Sequence, residues 1–162
     1  RTCHVSNQRG PGATGAGGGS TGTRRMPDRS FLDSNVLVYT DDGSSPAKQR
    51  TALELIAGCR RRREGVVSLQ VLQEYFAVST RKLGVDAALA RRKVQLFSEL
   101  SLVATDVEDV LGAIDLHRLH QFSFWDALVI RSALRAGCSR LYSGDLQHGR
   151  RVDGLQIVNP FK

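Results

Sequence analysis

The sequence predicts an α/β protein whose mostly parallel sheet of four or five strands lies between helices. Three observations predict it: short apolar runs of strand length recur, amphipathic helical patterns separate them, and capping residues, glycine or proline mark the junctions. At 162 residues and 41% hydrophobic content, the chain has material for one core and hardly for two.

Phe31-Leu32 opens the pattern as a short buried strand, followed by the polar turn Asp33-Ser34-Asn35 and another apolar stretch, Val36-Leu37-Val38-Tyr39. Ser45 as N-cap and Pro46 in the first position announce a helix that continues through Leu53, Ile56 and Cys59 to a stop at Gly65. Val66-Val67-Ser68 is a second strand. Val71, Leu72, Tyr75, Phe76 and Val78 then recur at helical spacing, and a further helix runs over residues 86–100. Leu102-Val103-Ala104 reads as a third strand. Thr105, with Glu108 three residues on, has the capping-box pattern for a helix through Leu119. Ser123 starts another over residues 125–136, closed by Gly137. Residues 140–143 and 155–158 supply the fourth and fifth strands.

Residues 1–25 contain seven of the sixteen glycines, four arginines and no acid, a composition that cannot bury enough surface to offset its ordering entropy. They are expected to be a disordered extension, with the domain over residues 26–162. Met26, the only methionine, marks an alternative start that would make the extension foreign to the native protein. Gly17-x-Gly19-x-x-Gly22 matches a dinucleotide fingerprint in spacing alone, since no strand precedes it and no helix follows. The net charge of +7 shrinks to +3 without this segment, so charge alone decides little about a polyanionic partner. No run is apolar enough to cross a bilayer, and Cys3, Cys59 and Cys138 support neither a disulfide framework nor a zinc knuckle. A soluble, cytoplasmic protein is expected.

Four carboxylates fall where this architecture could gather them: Asp33 after the first strand, Glu74 in the helix after the second, Asp126 in the first turn of a later helix, and Asp145 after the fourth strand. Each also has a plain structural account. Asp33 suits an N-cap, Asp126 a capping box with Ser123, and Asp145 a turn after Gly144. Glu74 is harder to dismiss because it sits at the edge of an apolar helical stripe. If all four converge, their repulsion demands a counter-charge, and oxygen ligands without clustered cysteine or histidine point to Mg²⁺ or Mn²⁺. Such an ion activates water and stabilises charge on a phosphoryl oxygen, which makes phosphodiester hydrolysis the leading chemistry.

Five segments in order carry a resemblance: Phe31 through Tyr39, Leu72-Gln73-Glu74-Tyr75-Phe76, Phe122 through Leu128, Leu141 through Gly149, and Ile157 through Phe161. Together they resemble the PIN-domain ribonucleases, and within them the VapC toxins of type II toxin–antitoxin pairs. The resemblance implies a PIN-like three-layer α/β/α fold, endonucleolytic cleavage of RNA with Mg²⁺ or Mn²⁺, a homodimer, and a cognate VapB-type antitoxin whose C-terminal segment enters the active-site groove. It implies Asp33, Glu74, Asp126 and Asp145 as the catalytic acids, with Asn35 and Ser143 orienting ligands or water; Asp33 and Asp126 are expected to bind the metal most directly. One departure stands out: Gly144 replaces a glutamate common in relatives, which puts a second metal position in doubt.

Arg60-Arg61-Arg62-Arg63 is the obvious basic run for RNA, joined by Arg91-Arg92-Lys93 or Arg150-Arg151, although a run at a helix C-terminus also suits the helix dipole. His117 and His120 share a helical face without a carboxylate partner, and His148 lies in a loop. Phe122, Phe124 and Trp125 could stack on bases, while core packing accounts for part of that cluster. Two competing readings are a catalytically lapsed PIN scaffold that only binds RNA or a partner, and a phosphatase of the HAD type. The latter needs a second aspartate where Asn35 stands.

Overall fold

The computed structural model describes residues 28–162. The expectations for the extension over residues 1–25 concern residues outside those described. The elements run β1 (Ser30–Leu32), α1 (Ser34–Tyr39), α2 (Pro46–Arg62), β2 (Gly65–Ser68), α3 (Leu69–Lys82) and α4 (Ala87–Phe97). They continue with β3 (Ser101–Val103), α5 (Val107–His120), α6 (Phe124–Arg135), β4 (Arg140–Tyr142), β5 (Arg151–Val152) and β6 (Leu155–Val158).

Strands join in the order β3-β2-β1-β4-β6-β5, all parallel except the β5–β6 pair. Helices cover the sheet as the three-layer α/β/α arrangement. β1 and β2 are buried throughout, which is why their side chains are apolar without alternation. Phe31, Leu32, Val66, Val67, Leu141 and Ile157 form the centre of the core. One strand more than predicted is present. β5 has only two residues and is held by a turn in which Asp153 and Gly154 both take positive φ, at 47° and 88°, as a tight hairpin requires.

Local differences from the sequence reading have tertiary causes. The apolar stretch after Asp33 is a six-residue helix, capped by the Asp33 carboxylate, which accepts from the Ser34 N–H at 2.7 Å. Helix α2 ends before Gly65: Arg63 takes the left-handed cap at φ 56°, and Gly65 instead opens β2, where a Cβ would meet Leu100 at 2.8 Å. The cap of α5 is Asp106, not Thr105. Asp106 and Asp109 form the reciprocal box because Asp109 is also the partner of Arg135 and Arg131 from α6. Arg131 reaches it across Gly112, where a Cβ would lie 2.8 Å from the guanidinium.

Cys59 and Cys138 are free and buried, and burial pushes both thiols up, that of Cys138 to about 12, so both stay protonated. No helix among the described residues is long and apolar enough to cross a membrane.

Asp109 is 1% exposed, whereas its partner Arg135 is 41% exposed and can return to water. Asp109→Ala is therefore expected to cost about 2 kcal/mol, from the lost cap and the lost ion pairs, and to lower the urea midpoint without changing the slope. A midpoint equal to the wild type would show that α5 and α6 are held by apolar contact alone.

Candidate active site

At β1 the chain changes direction across the sheet: β2 and β3 lie to one side, β4 and β6 to the other. A crevice opens at such a switch, beyond the carboxyl ends of the strands. Leu32 lies opposite Tyr142, and the Asp33 N–H donates to the Tyr142 carbonyl at 3.0 Å, so the residues after β1 and β4 are forced together. Asp33 and Ser143 meet there, 110 positions apart in sequence.

The Ser143 hydroxyl donates to Asp33 Oδ2 at 2.7 Å and accepts from the N–H groups of Asp145 and Leu146, both at 3.3 Å. Asn35 is oriented by the Gly144 N–H, which donates to its Oδ1 at 2.9 Å, so its Nδ2 must face the carboxylates. That Nδ2 lies 3.0 Å from Asp33 Oδ2 and 3.2 Å from Asp145 Oδ2. One amide and one hydroxyl thus tie two acids of like charge to one rim.

Asp33 is 7% exposed. Desolvation pushes its carboxyl up to about 6, and the charges of Glu74 and Asp145 add to the rise, while the bonds from Ser143 and Ser34 oppose it. Glu74 is half-buried on α3, and its Oε1 accepts from the Gln70 amide at 2.7 Å. Gln70, one turn earlier, was not singled out from the sequence; the spacing of four residues is the signal that would have found it.

Asp126 stands half-buried in the first turn of α6, its N–H donating to the Ser123 hydroxyl at 3.1 Å. Its neighbour Trp125 shares a cleft with Glu74, but no hydrogen bond or ion pair links the Asp126 carboxylate to the other acids. Among the described residues, no three His, Cys, Asp or Glu side chains are spaced to share one metal ion. The donor set nevertheless suits a hard cation, because the crevice offers carboxylate oxygens and, among the described residues, no thiolate. The raised Asp33 carboxyl marks where positive charge would be most stabilising.

Gly144 has a packing account: a Cβ there would meet the Phe161 ring at 3.1 Å. That ring rests on Tyr39 at 4.6 Å, and Asn159 Nδ2 donates to the Gly144 carbonyl at 3.2 Å, so the C-terminal residues clamp the loop carrying Asp145. His148 Nδ1 accepts from the Asn159 N–H at 3.0 Å, and His117 Nδ1 contacts the Phe122 carbonyl at 2.5 Å.

Arg60–Arg63 do not join the crevice. They sit where α2 meets the amino ends of β2 and β3, at the opposite end of the strands from Asp33. Two of them are paired, Arg60 with Glu99 at 2.5 Å and Arg62 with Glu64 at 2.7 Å. Lys93 is paired with Asp41, and Arg150 lies 3.9 Å over the Phe122 ring.

The raised Asp33 carboxyl has a measurable consequence for the metal-free protein. Its folded state holds a proton up to about pH 6 and its unfolded state only to about 3.8, so stability falls as pH rises through that window. The loss is on the order of 3 kcal/mol at neutral pH. In EDTA, Asp33→Asn is expected to melt above the wild type at neutral pH, with the gap closing under mild acid. A gap independent of pH would mean that the carboxyl is not perturbed.

Comparison with known proteins agrees with this architecture. A search of curated proteins finds no significant match. Among solved structures, the chain is similar to the Mycobacterium tuberculosis VapC20 toxin, described as cleaving the sarcin-ricin loop, at 21% identity and TM-score 0.59, covering 72% of this chain and 91% of that one. A toxin–antitoxin complex from Klebsiella pneumoniae matches at 14% identity and TM-score 0.63, covering 81% and 97%. VapBC2 from Rickettsia felis, bound to a DNA fragment from its promoter, matches at 20% identity and TM-score 0.53, covering 79% and 96%. At these identities the likeness establishes the fold. The PIN domain family matches residues 30–154, most of the chain and every strand but β6, and the chain therefore belongs to that family.

Proposed function

We propose that the chain is a divalent-metal-dependent endoribonuclease acting as the toxin of a toxin–antitoxin pair. The observation that carries the reading is the buried Asp33 carboxylate, tied to Asp145 through Asn35 and Ser143, at the sheet's switch point in a PIN-family chain. Structural likeness to VapC toxins adds the antitoxin partner to the proposal.

Asp33 and Asp126 would hold Mg²⁺ or Mn²⁺, with Glu74 and Asp145 completing the set. The ion would supply charge neutralisation at a phosphoryl oxygen and a more acidic water. The chain's own residues do the rest. Asn35 and Ser143 fix the directions of the Asp33 and Asp145 oxygens, and Gln70 fixes that of Glu74. Burial at Asp33 strengthens every electrostatic contact made there. A homodimer belongs to the same proposal, and the outward apolar stripe of Val107, Leu111 and Ile114 on α5 offers it a surface. Cytoplasmic action fits the two free, buried thiols.

The test is cleavage of single-stranded RNA with Mg²⁺ or Mn²⁺ against EDTA. Asp126→Asn is expected to abolish cleavage while the circular dichroism spectrum is retained; full cleavage by the folded variant would remove Asp126 from the site. Ser143→Ala is expected to raise the metal concentration needed for half-maximal rate by about 10- to 100-fold, as loss of a group orienting a ligand does. RNA binding without cleavage under either metal would favour the lapsed scaffold, and hydrolysis of small phosphomonoesters with RNA intact would favour the phosphatase.

A further inference from the structure

The single tryptophan of the chain is 62% exposed, although it stands between the half-buried Phe124 and the buried Ala127-Leu128 of α6. Phe122 is buried, and Phe124 meets the indole edge-on at 5.3 Å, so packing accounts for the two phenylalanines and leaves the indole outside. A large aromatic surface held in water by a rigid neighbour calls for an occupant.

Its surroundings define the occupant's chemistry. Trp125 closes a cleft of about 420 Å³ whose other walls are Gln70, Gln73, Glu74 and Ala77 of α3. Glu74 is one of the acids of the proposed centre, so this cleft is the antechamber of that centre. Gln70 is 8% exposed, and its Nε2 is committed to Glu74, which fixes the amide orientation. Its Oε1 is buried and accepts no hydrogen bond among the described residues. A flat ligand on the indole, bearing an N–H donor on its edge, satisfies that oxygen once the amide swings off Glu74 into the cleft.

One turn beyond Ala77, the stripe continues to Arg81 and Lys82, which line an adjoining hollow that shares Ala77. Both are exposed, and neither is in an ion pair among the described residues. Aromatic plane, amide edge and unpaired cations therefore follow one another along α3, away from the acids. That is the order in which a nucleotide strand presents a base and then its phosphates.

We infer that Trp125 is a stacking platform for an unpaired nucleobase beside the scissile phosphate, with Gln70 facing the base edge and Arg81 and Lys82 holding the adjoining backbone. The inference rests on the nuclease reading for the identity of the strand, and it makes the substrate single-stranded at this position. A duplex cannot offer the face of an internal base to the indole.

Because Trp125 is the only tryptophan, its fluorescence reports the contact without catalysis. In EDTA, a short single-stranded oligoribonucleotide is expected to quench the emission, whereas a duplex or an abasic strand with the same phosphates is not. Anisotropy of a labelled strand is expected to show Trp125→Ala binding roughly tenfold or more weakly, with Trp125→Phe recovering most of the loss. Cleavage by the wild type with unchanged emission and an indifferent Trp125→Ala variant would overturn the platform and leave the nuclease standing. Quenching by single strands without cleavage under Mg²⁺ or Mn²⁺ would do the reverse. Equal quenching by the abasic strand overturns the platform. So does loss of self-association in Trp125→Ala with RNA affinity unchanged, which would assign the indole to a protein contact.

Discussion

The hydrogen bond from the Ser143 hydroxyl to Asp33 is the interaction on which the site depends. It closes the switch point by joining the residue after β1 to the residue after β4, strands that already pair side by side. Asp33 has a second duty as N-cap of α1, so the same carboxylate sets the start of a helix and the floor of the crevice. Asn35, two residues on, can then span both loops. A cap that faces water costs little, whereas burial of this one beside other acids favours its protonated form.

This arrangement shows what a parallel sheet supplies to such a crevice. Parallel pairing brings like ends of strands together, so side chains just past those ends share one rim however distant they are in sequence. The helices that follow carry the remaining acids: α3 brings Glu74 from the β2 side, and α6 brings Asp126. The sheet positions the first and last acids rigidly by backbone pairing, while α3 and α6 position theirs by packing. That division matches the contacts observed. Asp33 and Asp145 are joined by a shared amide, and Asp126 stands unlinked to them.

Much of this was legible in the chain itself. Strand cores such as Val66-Val67 and the caps at Asp33 and Ser123 carry local signals that tertiary contact did not overturn. Where the reading slipped, a distant partner decided. Thr105 with Glu108 and Asp106 with Asp109 satisfy the same capping pattern, and the choice fell to the pair whose second acid meets arginines from α6. Gly65 resembled a helix terminator, but its lack of a side chain serves Leu100. For the arginine run, the sequence offered both an RNA contact and a helix end favoured by the dipole, and its pairing with Glu99 and Glu64 depends on chain folding that no local pattern carries. Exposure of Trp125 had no local signature, since the aromatic Phe124 before it and the apolar run from Ala127 to Ile130 read as one core-facing segment.

The clamp formed by Asn159 and Phe161 over Gly144 makes the loop bearing Asp145 lean on the segment that follows β6. A displacement of that segment is passed to the carboxylate through one amide and one ring, so the crevice can be disturbed without any of its own residues changing.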